Sequence, residues 1–148
     1  MRKQFFVRLS LLITLALFGC LSASGQNAGN EIKLMFSLHE DGKIATLNAE
    51  GQKVFNFSTQ GIVNKKQADD LAQKFRGKEY VVNVNMIEPS NKNNQYTGVI
   101  VLNRLAKIAD FKKLLTNAGF TNIYVDGKLT KVENLDMLKK NTTKKLNK

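Results

Sequence analysis

Few side chains of this chain are suited to metal binding or catalysis. His39 is the only histidine, and it precedes two adjacent carboxylates, Glu40 and Asp41. One imidazole followed by two acids does not match the ligand spacing of a zinc cage. Met35 and Met86 carry thioethers, which suit copper(I), but both lie in apolar runs, where methionine commonly fills a core. We therefore expect no cofactor and no metal site, with Met35, His39 and Met86 as a weaker metal-binding alternative.

The acidic and hydroxyl side chains do not form a catalytic pattern either. Asp69 and Asp70 are neighbours in a helical stretch, and consecutive helical residues point in different directions. Ser58 and Ser90 have no base near them in the sequence. Because no nucleophile, base and orienting group can be assembled from these residues, we expect no catalytic residues and a protein that is not an enzyme.

Residues 1–25 have the pattern of a secretory signal peptide. Three positive charges precede the apolar run Leu9 to Phe18, and small residues follow it up to Gly25. This order is typical of a signal that is removed on export, and the apolar run is shorter than the roughly 20 residues needed to span a bilayer. We expect cleavage after Gly25, which leaves Gln26 as the first mature residue of an exported, periplasmic or extracellular bacterial protein.

A second processing route centres on Cys20, the only cysteine. The segment Leu17-Phe18-Gly19-Cys20 resembles a bacterial lipobox, although Phe18 is larger than the residue usual at that place. Lipidation of Cys20 would anchor the protein to a membrane, and we keep it as the alternative to plain secretion. In either case the mature domain has no disulfide and no thiolate metal site.

The chain is strongly basic, with a formal net charge of +11. Removal of the signal leaves 20 basic and 12 acidic side chains, and many of the lysines lie in residues 128–148, predicted to be a basic C-terminal tail. Such a tail favours contact with an anionic surface. Nucleic acid is not expected as a partner, because the chain carries an export signal and has no aromatic residue after Tyr124 on which bases could stack. We expect membrane contact only through lipidation or through this tail.

The mature chain reads as a short lead-in, a hairpin and one α+β domain. Residues 26–30 are small and polar, and residues 31–52 alternate in hydrophobicity around the turn signal Asp41-Gly42, which predicts an N-terminal β-hairpin added at a sheet edge. From residue 53 to residue 127 the patterns give strand, helix, strand, strand, helix, strand. That order predicts a ferredoxin-like βαββαβ fold, an antiparallel sheet with two helices on one face. A short helix is expected over residues 132–140.

The stretch Gly61-Ile62-Val63-Asn64-Lys65-Lys66-Gln67, with Leu71 and Phe75 after it and Ala118-Gly119-Phe120 further on, resembles the heavy-metal-associated domain. Over about 70 residues the resemblance implies the small ferredoxin-like fold that handles copper and zinc. Asn64 and Gln67 stand where that family has its two metal-binding cysteines. Because neutral amides are poor ligands for soft metals, the resemblance implies a scaffold that has lost its metal site.

Without thiolates, the same loop is predicted to serve structure and contact. Asn64 is expected to cap the first helix, and Gln67 to lie on the surface of its first turn. We expect a non-catalytic binding module of the cell envelope that contacts another envelope protein or an anionic surface. The contact is expected either at the sheet face opposite the helices or at a loop that contains Ser58, Thr59, Gln60, Gly61, Asn64 and Gln67. The alternative function is a periplasmic copper- or zinc-binding protein.

Overall fold

A computed structural model of the protein describes residues 31–89 and 95–140. The predicted signal peptide with Cys20, the predicted lead-in at 26–30 and residues 141–148 lie outside this range. The described residues form an α+β fold, as predicted. The strands are β1 (Lys33–Phe36), β2 (Thr46–Leu47), β3 (Lys53–Gln60), β4 (Val81–Ile87), β5 (Thr97–Leu102), β6 (Asn122–Val125) and β7 (Lys128–Lys131). The helices are α1 (Lys65–Phe75), α2 (Ile108–Asn117) and a 3-10 helix (Val132–Lys140).

The seven strands form one mixed sheet in the order β4-β5-β3-β1-β6-β7, with β2 paired to β3 beside this path. From β3 to β6 the chain runs strand, helix, strand, strand, helix, strand, as the sequence predicts. The expectation of a wholly antiparallel sheet is wrong, because β1 pairs in parallel with β6 while it pairs antiparallel with β3. Strand β1 therefore separates the first and last strands of the predicted βαββαβ unit.

The predicted N-terminal hairpin is also wrong. Strands β1 and β2 do not pair with each other in the described structure; both run antiparallel to β3 along the same edge of it. Asp41-Gly42 turns the chain only locally, since the Asp41 carboxylate accepts the Lys43 N–H at 3.1 Å and the His39 N–H donates to the Lys43 carbonyl at 2.8 Å. The residues between β1 and β2 thus form an excursion from one interrupted strand.

The real hairpin joins β2 to β3. The Asn48 side-chain oxygen accepts the N–H groups of Glu50 at 3.1 Å and Gln52 at 2.9 Å, and Gly51 has a positive φ of 73°. Asparagine commonly closes turns in this way, and glycine adopts positive φ without steric cost. The sequence thus contains two turn signals, Asp41-Gly42 and the turn at residues 48–52. Only the second of these turns connects two strands that pair with each other.

The core lies on one face of the sheet. Alternation along β3 points Phe55 and Phe57 to this face, and the Phe111 ring of α2 stacks on Phe55 with ring centroids 3.8 Å apart. Phe36 of β1 contacts both Phe57 and Phe111, at centroid distances of 5.7 and 5.8 Å. The predicted apolar stripe of α1 is buried in the same cluster: Ala68, Leu71, Ala72 and Phe75. Aromatic burial of this extent dominates the stability of a small domain.

Part of the predicted basic tail is instead folded. The turn Asp126-Gly127, with φ values of 48° and 74°, connects β6 to β7 as a two-residue hairpin loop, and positive φ at both positions is the geometry such loops favour. The 3-10 helix follows at the place where a short helix is predicted, and it buries Val132 and Leu135. Strand β7 pairs with a neighbour on one side only, and its side chains are largely exposed. An edge strand of this kind can be polar, so the composition of Lys128–Lys131 did not indicate a strand.

Gly98 permits the closest packing in the core, and its replacement by alanine tests this arrangement. A Cβ atom at Gly98 would lie 2.2 Å from the Phe57 ring and 2.8 Å from the Met86 sulfur. We expect Gly98→Ala to lower the free energy of unfolding by about 2 kcal/mol, as overpacking does, in urea denaturation. Because Phe57→Leu removes the clashing ring, the double variant Gly98→Ala/Phe57→Leu should lose less than the two single losses added together. Strict additivity would contradict this packing.

Candidate functional site

The face of the sheet opposite the helices is open to solvent in the described part of the chain. Along β3 the side chains of Asn56 and Ser58 point to this face, while Phe55, Phe57 and Thr59 point to the core. The buried residues of both α-helices belong to the same hydrophobic cluster as the core-facing strand residues. We call the other surface the open face.

One row of side chains crosses the open face from β4 to β7. Residues paired directly across neighbouring strands lie on the same face, close enough for their side chains to touch. The registers of the five strand pairs along this path align six such residues. These residues, which we call the cross-sheet row, are Ile87, Thr97, Ser58, Met35, Tyr124 and Leu129. The apolar side chains at its two ends are exposed, Ile87 to 48% and Leu129 to 64%.

A shallow groove of about 300 Å³ lies along the part of this row that β4, β5, β3 and β1 contribute, and it brings together two of the three candidate metal ligands. Met35 and His39 both line the groove, together with Asn56, Ser58 and Ile87 among others. Both are only partly exposed.

Met86, the third candidate ligand, lies on the other face of the sheet. It packs against the core beside Gly98, so the sheet separates it from Met35 and His39. Within residues 31–89 and 95–140 no three His, Cys, Asp or Glu side chains are grouped as metal ligands. The three residues therefore do not form a common coordination site.

Two amides of the predicted contact loop, Asn64 and Gln67, accept backbone hydrogen bonds at the start of α1. The Asn64 side-chain oxygen accepts the Gln67 N–H at 2.9 Å, which confirms the predicted N-cap. In return, the Gln67 side-chain oxygen accepts the Val63 N–H, also at 2.9 Å. This exchange is a variant of the capping box, and the spacing Asn-x-x-Gln could have indicated it. Sequence reasoning missed this role of Gln67.

The other members of the predicted contact loop divide between the two faces. Ser58, Thr59 and Gln60 belong to β3 rather than to a loop. Thr59 is buried, and its hydroxyl donates to the Tyr96 carbonyl at 3.0 Å, so it is satisfied inside the fold. Ser58 and Gln60 point to the open face, and Gly61 ends the strand with a φ of 93°. The loop and the open face therefore share only Ser58 and Gln60.

The charged side chains of the strands are all of one sign. The seven strands contain no aspartate or glutamate in the described structure. On the open face, Lys33 lies over the Tyr124 ring, with its ammonium nitrogen 5.7 Å from the ring centroid, a distance at which a cation is attracted by the ring. Lys131 is on the same face, and its ammonium nitrogen lies 3.5 Å from a carboxylate oxygen of Glu133, just beyond the strand. The strands thus give this face positive charge without negative charge.

Several shifted pKa values belong to groups in ion pairs at the surface. A hydrogen bond from Lys43 lowers the pKa of Asp41, and a hydrogen bond to Asp69 raises the pKa of Lys65. A hydrogen bond from Lys112 likewise lowers the pKa of Asp136. This ion pair joins α2 to the 3-10 helix. Pairs of this kind between exposed side chains commonly serve the structure and contribute little free energy.

Comparison of the chain with protein-family models, with curated proteins and with solved structures finds no match. Of the residues that the structure describes, none belongs to a helix long and apolar enough to cross a membrane.

Removal of the amide caps tests whether Asn64 and Gln67 serve the fold. We expect Asn64→Ala to lower the free energy of unfolding by about 1 kcal/mol, because it leaves the Gln67 N–H without its acceptor. Asn64→Asp, which keeps an acceptor oxygen, should retain most of the stability. Gln67→Ala should cost about 0.5–1 kcal/mol for the lost hydrogen bond to Val63. Urea denaturation measures all three, and an Asn64→Ala protein as stable as the wild type would contradict the capping role.

Proposed function

We propose that the protein is an exported, non-catalytic binding module of the bacterial cell envelope that uses the open face as its contact surface. The observation that carries this proposal is the cross-sheet row, which aligns one side chain from each of the six strands of the path, among them the apolar or aromatic side chains of Ile87, Met35, Tyr124 and Leu129. Exposed apolar groups surrounded by polar ones are typical of interaction sites. Tyrosine and methionine are enriched at such interfaces.

The charge of the open face indicates the kind of partner. Because the strands carry lysines and no acids, an approaching surface rich in carboxylates meets no repulsion from them. We therefore propose an envelope protein with an acidic surface as the partner. Apolar contacts along the cross-sheet row would provide the buried area, and Lys33 would contribute to orientation and to the rate of association.

The finer description of the fold is part of the same proposal. We infer a ferredoxin-like unit from β3 to β6 into which β1 is inserted between the first and last strands. The order of strands and helices and the hairpin β4-β5 support this inference. The resemblance to a heavy-metal-associated domain without cysteines is supported by the position of Asn64 and Gln67 at the start of α1.

The alternative of copper or zinc handling has less support. A methionine and a histidine in the groove offer two ligands, while structural zinc sites use four and catalytic zinc sites three. Met86 cannot complete the set from the opposite face of the sheet. We therefore retain the binding module as the single proposed function.

Site-specific cross-linking in cells tests the open face as the contact surface. A photoreactive amino acid in place of Tyr124 should give a discrete adduct with one partner protein. The same amino acid in place of Gln73, which is exposed on α1, should give none. Equal adducts at both positions, or none at Tyr124, would contradict the proposal.

Charge reversal tests the acidic partner within the same experiment. Lys33→Glu should lower the yield of the Tyr124 adduct about fivefold, which corresponds to about 1 kcal/mol of lost attraction. Lys78→Glu, the matched reversal in the exposed segment after α1, should leave the yield unchanged. The same loss in both variants would show that net charge, and not the open face, determines binding.

Mass spectrometry of the exported protein tests the proposed processing. We expect a mature chain that begins at Gln26 and is released in the soluble envelope fraction. Cys20→Ser should change neither its mass nor its location, because Cys20 is removed with the signal. A chain that begins at an acylated Cys20 and loses its membrane association in Cys20→Ser would establish the lipoprotein alternative.

A further inference from the structure

A cleft on the helix-bearing side of the sheet is distinct from the open face. It has a volume of about 300 Å³, the lower end of the range for small-molecule sites. Its floor includes Phe55 of β3, and its walls come from three parts of the chain. These are the excursion between β1 and β2 through Ile44 and Ala45, the first residue of α2, Ile108, and the 3-10 helix through Leu135.

The cleft is apolar inside and charged at its margin. Phe55, Ile44 and Leu135 are all buried, and Lys43, Lys53 and Asp136 are the charged side chains that line it. A cleft of this composition suits a ligand with an apolar body and one charged group.

Of the three charged side chains at the margin, two are engaged in ion pairs and one, Lys53, is able to bind the charged group of a ligand. Asp136 is paired with Lys112 at 3.0 Å, and Lys43 is paired with Asp41. Lys53 instead donates to the Arg104 carbonyl at 2.9 Å, a neutral acceptor, and forms no salt bridge with the described residues. Its ammonium group can therefore form an ion pair with the carboxylate of a ligand without breaking an existing ion pair.

We infer that this cleft binds a small amphipathic carboxylate, with its apolar body against Phe55, Ile44 and Leu135 and its carboxylate at Lys53. At about 30 Å³ for each water-sized group, the cleft holds roughly ten non-hydrogen atoms. A medium-chain fatty acid has this size and chemistry. The site is formed by the excursion and the 3-10 helix, so it exists independently of the proposed contact at the open face.

Titration of the mature protein with decanoate, followed by ¹H–¹⁵N NMR, tests the inference. We expect saturable shifts of residues 42–45, 108 and 135–138, with the amides of the open face unaffected. Decanol, which keeps the tail and lacks the charge, should bind at least fivefold more weakly, and acetate should not bind. Decanol as tight as decanoate would overturn the assignment of Lys53 as the anchor, and the absence of saturable shifts would overturn the site.

Two variants separate the roles of the charge and the cavity. Lys53→Met keeps the aliphatic stem and removes the ammonium group, and we expect about a tenfold loss of decanoate affinity. Lys33→Met, the same change on the open face, should have no effect. Ala45→Phe fills the cleft and should abolish binding while the NMR spectrum remains that of a folded protein. Binding that survives both Lys53→Met and Ala45→Phe would place decanoate elsewhere.

The same spectra distinguish the other occupants of an apolar cleft. Shifts of the cleft residues that follow protein concentration in the absence of decanoate would assign the cleft to a second copy of the chain and overturn the inference. Because the cleft and the open face lie on different sides of the sheet, failure of decanoate to bind leaves the cross-linking result at Tyr124 unaffected. The two proposals therefore fail separately.

Discussion

Strand β1 lies in the interior of the sheet, and both surfaces of the protein depend on that position. It is hydrogen-bonded to β3 on one edge and to β6 on the other. The alternation of its four residues sends Leu34 and Phe36 into the core and Lys33 and Met35 to the open face. Phe36 joins the aromatic cluster through Phe57 and Phe111, while Met35 continues the cross-sheet row between Ser58 and Tyr124. If β3 and β6 paired directly, Met35 would be absent from the row and from the groove that it lines.

The same position explains the cleft on the other side. Because β1 and β2 occupy one edge of β3 in succession, the residues between them must leave the sheet and return to it. The excursion places Ile44 against the core, where it is buried. The 3-10 helix lies on the same side, held to α2 by the Lys112–Asp136 pair and by a hydrogen bond from Lys112 to the Glu133 carbonyl. Among the described residues, the cleft is thus lined by β3, by α2 and by these two segments, which lie outside the βαββαβ order.

Local patterns predicted local structure well, and long-range pairing poorly. The buried stripe of α1 and the Asn64 cap follow from spacing and side-chain chemistry within one helix, so the sequence indicated both. The alternation around Leu34 and Phe36 indicated a strand, but alternation contains no information about which strands lie beside it. The Asp41-Gly42 signal then favoured a hairpin, although the hydrogen bonds of Asp41 close a turn that ends before any strand pairs. The strand at Lys128–Lys131 was missed because an exposed edge strand does not need apolar residues.

The candidate site shows what local patterns indicate and where they stop. Met35, Ser37 and His39 line one groove, and their spacing of two residues is that of side chains on one face of an extended strand. The separation of Met86 from them depends on the alternation along β4, which places Met86 on the same face as the buried Val84. That alternation was visible in the sequence, since the bulge between Val81 and Asn83 precedes both Val84 and Met86. Alternation within one strand did not indicate how β4 and β1 are placed in the common sheet. Met86 then fills the space that Gly98 leaves open.

The start of α1 shows how two amide side chains stabilise the end of a helix. The first N–H groups of a helix have no partner within the helix, and side-chain caps, water or a ligand satisfy them. Here Asn64 and Gln67 accept two backbone N–H groups, those of Gln67 and Val63, and hold the segment after β3 in place. Because these amides are occupied by the backbone, a metal or partner that recruited them would have to displace both hydrogen bonds, at a cost of about 1 kcal/mol each. The open face requires no such exchange, since Met35 and Tyr124 present their side chains to solvent while the core residues beside them keep the strand fixed.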